Sequence, residues 1–141
     1  MSQKSLLILD THVWIWWMEQ DERLPGKLRD FIEDFGGDVA VSAASVFELV
    51  ILAKRGRIQI NREIDDWIER ATRGVDIEIL PVNGTIAQQA GFLPFHHGDP
   101  LDRLIIASTL HNDALVLSVD SKFPDYEELG GRLISGKDEI Q

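Results

Sequence analysis

The sequence predicts an α/β fold with a mostly parallel sheet covered by helices on both faces. Three observations carry this. Short apolar runs recur along the 141 residues. Segments with helical apolar spacing separate them. No linker-like stretch interrupts the alternation, so the chain reads as one domain over 1–141.

Leu6–Leu9 is a continuous apolar run, as in a strand buried on both faces. Thr11–Met18 reads as a helix, with Val13, Trp16 and Trp17 at i, i+3 and i+4. Residues 24–35 read as a second helix stopped by Gly36 and Gly37. Residues 39–41 form a short strand, and Ala43–Lys54 a strongly apolar helix ended by Gly56. Asn61 is placed to cap a helix carrying Ile64, Trp67, Ile68 and Ala71, with Gly74 past its end. Residues 77–82 read as a strand and 85–90 as a helix, with Thr85 and Gln88 at capping-box spacing. A loop through Pro94, His96, His97 and Gly98 leads to Asp99-Pro100, which opens a helix to about His111. Residues 115–119 are the next strand. An edge strand ending near Ile134 precedes a polar tail over 135–141.

Hydrophobic residues make up 44% and charged residues 27%, a balance that can build a core. There is no cysteine, which excludes disulfide scaffolds, zinc–thiolate sites and cysteine nucleophiles and fits a cytoplasmic protein. The first apolar run is four residues closed by an acid, too short for a signal-peptide core. The longest apolar run, 13–18, is far below a membrane span. Acids outnumber bases 24 to 14, and the formal net charge of −10 argues on its face against nucleic acid as a partner.

The placement of five acids points the other way. In an open parallel sheet, ligands bind beyond the carboxyl ends of the strands. Asp10 directly follows the first strand, and Asp120 follows the strand at 115–119. Glu48 lies early in the helix after the second strand, and Asp99 and Asp102 start the last helix. Each has an ordinary structural explanation. Asp10 caps a helix, Ser45-Val46-Phe47-Glu48 spells a capping box, Asp99 is an N-cap before Pro100, and Asp120 is a turn acid. Together they converge on one end of the sheet, where several carboxylates cannot all stay ionised unaided. Cations relieve that repulsion. Oxygen ligands without cysteine select hard ions, Mg²⁺ or Mn²⁺. Such ions suit phosphoryl chemistry.

The residues themselves resemble a known family. Leu-Ile-Leu-Asp-Thr-His-Val-Trp at 7–14 comes first, followed by Ser42-x-x-Ser45-x-x-Glu48. His-Gly-Asp-Pro-Leu-Asp-Arg at 97–103, with Leu-Ile-Ile-Ala after it, and Leu-Ser-Val-Asp-Ser-Lys-Phe at 117–123 complete the order. The set, spanning about 5–128, resembles the PIN-domain nucleases, and more closely the VapC-type toxins of bacterial toxin–antitoxin pairs. The resemblance implies a three-layer α/β/α PIN-like fold and a Mg²⁺- or Mn²⁺-dependent endoribonuclease leaving 5′-phosphate and 3′-hydroxyl ends. It implies an RNA substrate, with a tRNA the family-based guess, a VapB-type antitoxin and a homodimer. By position, Asp10, Glu48, Asp102 and Asp120 match the acidic quartet. Asp99 matches an extra Asp that supports the helix start more than it binds metal. Arg103 matches an Arg that orients a carboxylate or a phosphate. Thr11 and His12 match the start motif, and Thr11 or Ser118 would hydrogen-bond the ligands. Leu101 stands where an aromatic is common, Gly98 where a basic residue is common and Ser118 where Thr is common.

Other features are weighed against plainer roles. His96 and His97 adjoin the acids but read as loop packing. The Trp14, Trp16, Trp17 and Met18 cluster reads as core, with a partner contact as the alternative. Lys54, Arg55, Arg57 and Arg62 form a basic stretch, either a solvated face or an RNA phosphate contact. Two other functional classes stay in view. A phosphatase with an Asp nucleophile needs Asp-x-Asp after the first strand, and His12 stands there. A non-catalytic PIN-like binding module predicts a damaged quartet, and the quartet is intact.

Overall fold

The computed structural model describes residues 5–96 and 98–135. In chain order the elements are β1 (Leu6–Leu9), α1 (Thr11–Met18), α2 (Gly26–Asp34), β2 (Asp38–Ser42), α3 (Ala43–Lys54) and α4 (Ile64–Ala71). Then come β3 (Ile77–Leu80), α5 (Gly84–Phe92), α6 (Pro100–His111), β4 (Leu115–Leu117) and β5 (Leu133–Ile134). The five strands form one sheet in the order β3-β2-β1-β4-β5, every pair parallel. Leu7 of the central strand faces Val39 on one side and Leu115 on the other.

Successive side chains of a strand point to opposite faces, and the core divides accordingly. Leu7 and Leu9 join Trp14, Leu28, Leu49 and Trp67 on one face. Ile8, Ala40 and Val116 join Ile105, Ile106, Phe123 and Tyr126 on the other. Helices therefore cover both faces, the three-layer α/β/α arrangement expected. Trp14 is fully buried; its indole N–H donates to the Ala71 carbonyl at 3.0 Å, and its ring meets Trp67 edge-on at 5.2 Å. Trp16 and Trp17 pack against this core half-buried. No helix among the described residues is long and apolar enough to cross a membrane.

Several expected boundaries shift for local reasons. The second helix starts at Gly26, not at 24, because Leu24 precedes Pro25 and a residue before proline avoids helical angles. Helix α4 is preceded by Glu63 and has no side-chain cap, so Asn61 does not cap it. Asn83 caps α5 by accepting from the Ile86 N–H at 2.9 Å, which overturns the Thr85–Gln88 capping box. Strand β3 stops at Leu80, before Pro81, and β4 at Leu117 rather than 119. The expected edge strand is β5; of the polar tail, 136–141 lie outside the described residues.

The site depends on the sheet's topology. From central β1 the chain builds outward through β2 and β3, then crosses to β4 and β5 on the other side. The carboxyl ends of β1 and β4 thus flank a switch point, where α/β sheets open a crevice. At the opposite end, a Cβ on Gly37 would run into the Ser5 carbonyl, which accepts the Asp38 N–H at 2.9 Å. Gly37→Ala is expected to destabilise the protein by about 1–3 kcal/mol, read as a lower Tm, by forcing the entry of β2 away from β1.

Candidate functional site

At that switch point lies a crevice of about 310 Å³ lined by Asp10, His12, Trp16, Glu48, Asp99, Asp102, Val119 and Asp120. All five acids singled out in the sequence reach it, delivered by strand ends, helix starts and one helix face. Asp10 leaves β1 in an extended conformation and caps α1, its Oδ1 accepting the Thr11 N–H at 2.8 Å. Its Oδ2 accepts the Ser118 hydroxyl at 2.8 Å, and Ser118 Oγ accepts the Asp120 N–H at 3.0 Å. One short chain of hydrogen bonds thereby links the ends of β1 and β4. Asp120 Oδ1 also accepts the Lys122 N–H at 2.8 Å, so it is a turn acid as well as a crevice residue.

Helix α3 is capped by Ser42, whose hydroxyl accepts the Ala44 N–H at 3.0 Å. Ser45 therefore lies inside the helix, and the capping-box explanation for Glu48 falls away. Ser45 and Glu48, one turn apart, share a face of the helix. The Thr11 hydroxyl donates to Ser45 Oγ at 2.8 Å, pinning the start of α1 against α3. Thr11 thus reaches a carboxylate only through its main-chain N–H, not its hydroxyl. Buried Glu48 Oε1 has no hydrogen-bond partner among the described residues. Asp99 caps α6, accepting from the Leu101 N–H at 2.9 Å and the Asp102 N–H at 3.4 Å, as expected of an acid before Pro100.

Burial sets the electrostatics. Asp10 is 5% exposed, and desolvation lifts its carboxyl from 3.8 to about 7. The Ser118 and Thr11 hydrogen bonds pull the other way, while the charges of Glu48 and Asp120 push it up further. Asp102 is raised by burial first, then by Asp10, Asp99, Asp120 and Glu48. Among the described residues no three His, Asp or Glu side chains stand close enough together, as placed, to hold a metal ion. The donors line the crevice as an open array of oxygens.

Other expected residues fall elsewhere. Arg103 does not orient a carboxylate through its described hydrogen bonds: its guanidinium donates to the carbonyls of Ala90, Gly91, Leu93 and Pro94. Lys54, Arg55 and Arg57 are exposed at the far end of α3. Lys54 is about 9 Å along the axis from Glu48, and that end does not line the crevice. His96 sets its ring edge against Tyr126 at 4.7 Å, in keeping with loop packing. His97 lies outside the described residues. Sequence reasoning missed Ser45 and Trp16 as neighbours of the site; the signal for Ser45 was its i, i+3 spacing to Glu48, read as a cap.

Residues 7–129 match the PIN domain family. The chain belongs to the PIN-domain family. One relative of this PIN domain is Ribonuclease VapC22 from Mycobacterium tuberculosis, 32% identical over 119 residues, covering 84% of this chain and 89% of that one. The VapC-type resemblance read from the motifs is borne out. Among solved structures, VapBC2 from Rickettsia felis bound to a promoter DNA fragment aligns with a TM-score of 0.65 at 14% identity, covering 92% of this chain and 98% of that one. A toxin–antitoxin complex from Klebsiella pneumoniae aligns at 0.63 and 14% identity, covering 92% and 96%. At these identities the structures attest the fold.

The raised Asp10 carboxyl has a sign that can be tested. The folded PIN domain holds a proton that the unfolded chain releases. This contribution to stability is complete below about pH 3.8 and is lost as pH rises through about 7. In chelating buffer, Tm is expected to fall between pH 5 and pH 8 by on the order of 5–10 °C. Asp10→Asn, which cannot ionise, is expected to make that profile shallower in differential scanning calorimetry, the raised Asp102 carboxyl keeping the remaining slope.

Proposed function

We propose that this PIN domain is a divalent-metal-dependent endoribonuclease, the toxin of a VapBC-type pair. The observation that carries the reading is the convergence of five carboxylates on one crevice, among them a buried Glu48 oxygen with no hydrogen-bond partner among the described residues. The donor set fits a hard ion, Mg²⁺ or Mn²⁺, because every candidate ligand is an oxygen. Asp10, Glu48, Asp102 and Asp120 would hold it, while Asp99 stays engaged with the start of α6. When bound, such an ion supplies a water of lowered pKa and neutralises charge on the scissile phosphate. The mutual repulsion that helps to raise the Asp10 and Asp102 carboxyls would be relieved by a divalent cation among them.

The protein's own residues do the positioning. Ser118 fixes Oδ2 of Asp10 while leaving the carboxylate facing the crevice. The Thr11–Ser45 hydroxyl pair keeps Asp10 and Glu48 in register between α1 and α3. RNA as substrate is supported by the ribonuclease among its relatives, and the antitoxin by the solved complexes that share its fold. The antitoxin's proposed seat is a groove of about 680 Å³ beside α1 and α2, which Trp17, Met18, Leu24 and Val75 line with Arg29 and Glu33. Its apolar floor and charged rim suit an amphipathic segment.

Purified protein is expected to cut RNA only with Mg²⁺ or Mn²⁺, leaving 5′-phosphate ends. Asp10→Asn and Asp102→Asn should each lower kcat by roughly 10²–10³-fold and relieve growth arrest on expression. Ser118→Ala should cost about 10–100-fold, because it loosens a ligand rather than removing one. Undiminished cleavage by Asp102→Asn would sink the assignment. Val75→Glu should weaken binding of a VapB-type antitoxin by roughly tenfold or more in calorimetric titration while leaving RNA cleavage unchanged.

A further inference from the structure

Arg103 directly follows Asp102 on the first turns of α6 and is only 6% exposed. One terminal nitrogen donates to the Pro94 carbonyl at 2.8 Å. The other donates to the carbonyls of Ala90 at 2.8 Å, Gly91 at 3.3 Å and Leu93 at 2.7 Å. These oxygens are the end of α5 and the turn leaving it. The last carbonyls of a helix have no intrahelical donors and carry its negative pole, so a buried cation there is stabilised by hydrogen bonds and dipole together. Helix α5 offers little else, since its closing Leu93 N–H to Ala90 carbonyl bond is long, at 3.4 Å. The Phe95 ring lies 4.4 Å from the guanidinium carbon and covers it.

We propose that Arg103 is a positioning residue, fastening the α5–α6 turn to the first turn of α6 so that Asp99 and Asp102 meet the crevice at a fixed angle. The inference rests on the metal-nuclease reading above. The chain between the tied Pro94 carbonyl and the Asp99 cap is short, so loosening one end loosens the other. Asp102 and Arg103 are adjacent on one helix. A small rotation of that turn, once the guanidinium lets go, carries the Asp102 carboxylate with it. Lysine can supply the charge but not a planar fork that reaches four carbonyls. Because Arg103 is buried and its donors face the main chain, it is not a substrate contact. Its loss should act on the metal-holding acids rather than on RNA affinity.

The test compares wild type, Arg103→Gln and Arg103→Lys as full chains, well below their melting temperatures. Amide hydrogen exchange, Mn²⁺ uptake by electron paramagnetic resonance, and kcat and KM on RNA are measured for each. Arg103→Gln should speed exchange roughly tenfold in residues 91–96 and 99–102 and leave β1 and β2 unchanged. Its Mn²⁺ affinity should fall about fivefold or more. Its kcat should drop with KM for RNA nearly constant, and Arg103→Lys should lie between. If Arg103→Gln is too unstable to study, Arg103→Lys carries the same comparison. Unchanged local exchange and Mn²⁺ affinity, or a raised KM with Mn²⁺ binding intact, would overturn the proposal. Wild type that neither takes up Mn²⁺ nor cuts RNA would instead overturn the nuclease reading, while the exchange pattern would still decide whether Arg103 fastens the turn.

Discussion

The hydrogen bond from Ser118 to Asp10 joins the ends of β1 and β4 across the switch point of the sheet, and the geometry of the crevice follows from it. Asp10 serves three purposes with one carboxylate. Oδ1 caps α1, Oδ2 takes the Ser118 hydroxyl, and the group as a whole faces the other acids. Ser118 in turn takes the Asp120 N–H, so the second acid is placed by the same contact that anchors the first. The backbone reinforces this, because the Asp10 N–H donates to the Leu117 carbonyl at 3.0 Å. A serine and an aspartate separated by 108 residues thus set the distance between two strands and two carboxylates.

That arrangement works against stability. Five acids at one end of a sheet repel one another, and burial of Asp10 and Asp102 makes their ionisation costlier still. The apolar layers on both faces of the sheet hold the crevice together: β1 is fully buried from Leu7 to Leu9, and Trp14 and Ile105 cover opposite faces of it. A local conflict between electrostatics and packing, tolerated at one site and compensated elsewhere, is characteristic of functional sites.

Much of this was legible in the sequence, for physical reasons that differ by element. The buried strands announced themselves as apolar runs, and Leu6–Leu9, Thr11–Met18 and Ala43–Lys54 fall where the pattern put them. The acids were legible because strand ends and helix starts are local features, and local features locate one end of a parallel sheet. Misreadings arose where one short pattern fits two structures. Ser45-x-x-Glu48 has capping-box spacing, yet Ser42 takes the cap and the same spacing becomes a helix face turned to the crevice. Asn61 and Thr85 look like caps, but Glu63 and Asn83 precede their helices. The partners of Arg103 and Thr11 were not legible, since hydrogen bonds to Ala90 and to Ser45 exist only once helices pack.

The charge balance gains a sharper meaning from these placements. A net charge of −10 looks unfit for RNA, and the two obvious positive groups do not repair it. The Lys54, Arg55 and Arg57 stretch lies at the end of α3 remote from the acids, and Arg103, though beside them in sequence, is committed to main-chain carbonyls. Lys122, two residues past Asp120 and exposed, is a modest counterweight. A polyanion approaching this crevice therefore meets carboxylates first. Under the proposed reading, the cations that the acids collect are what make the approach favourable, so substrate binding and catalysis share one requirement. The acidity of the chain is then not an obstacle to RNA but the means by which RNA affinity is made conditional on bound metal.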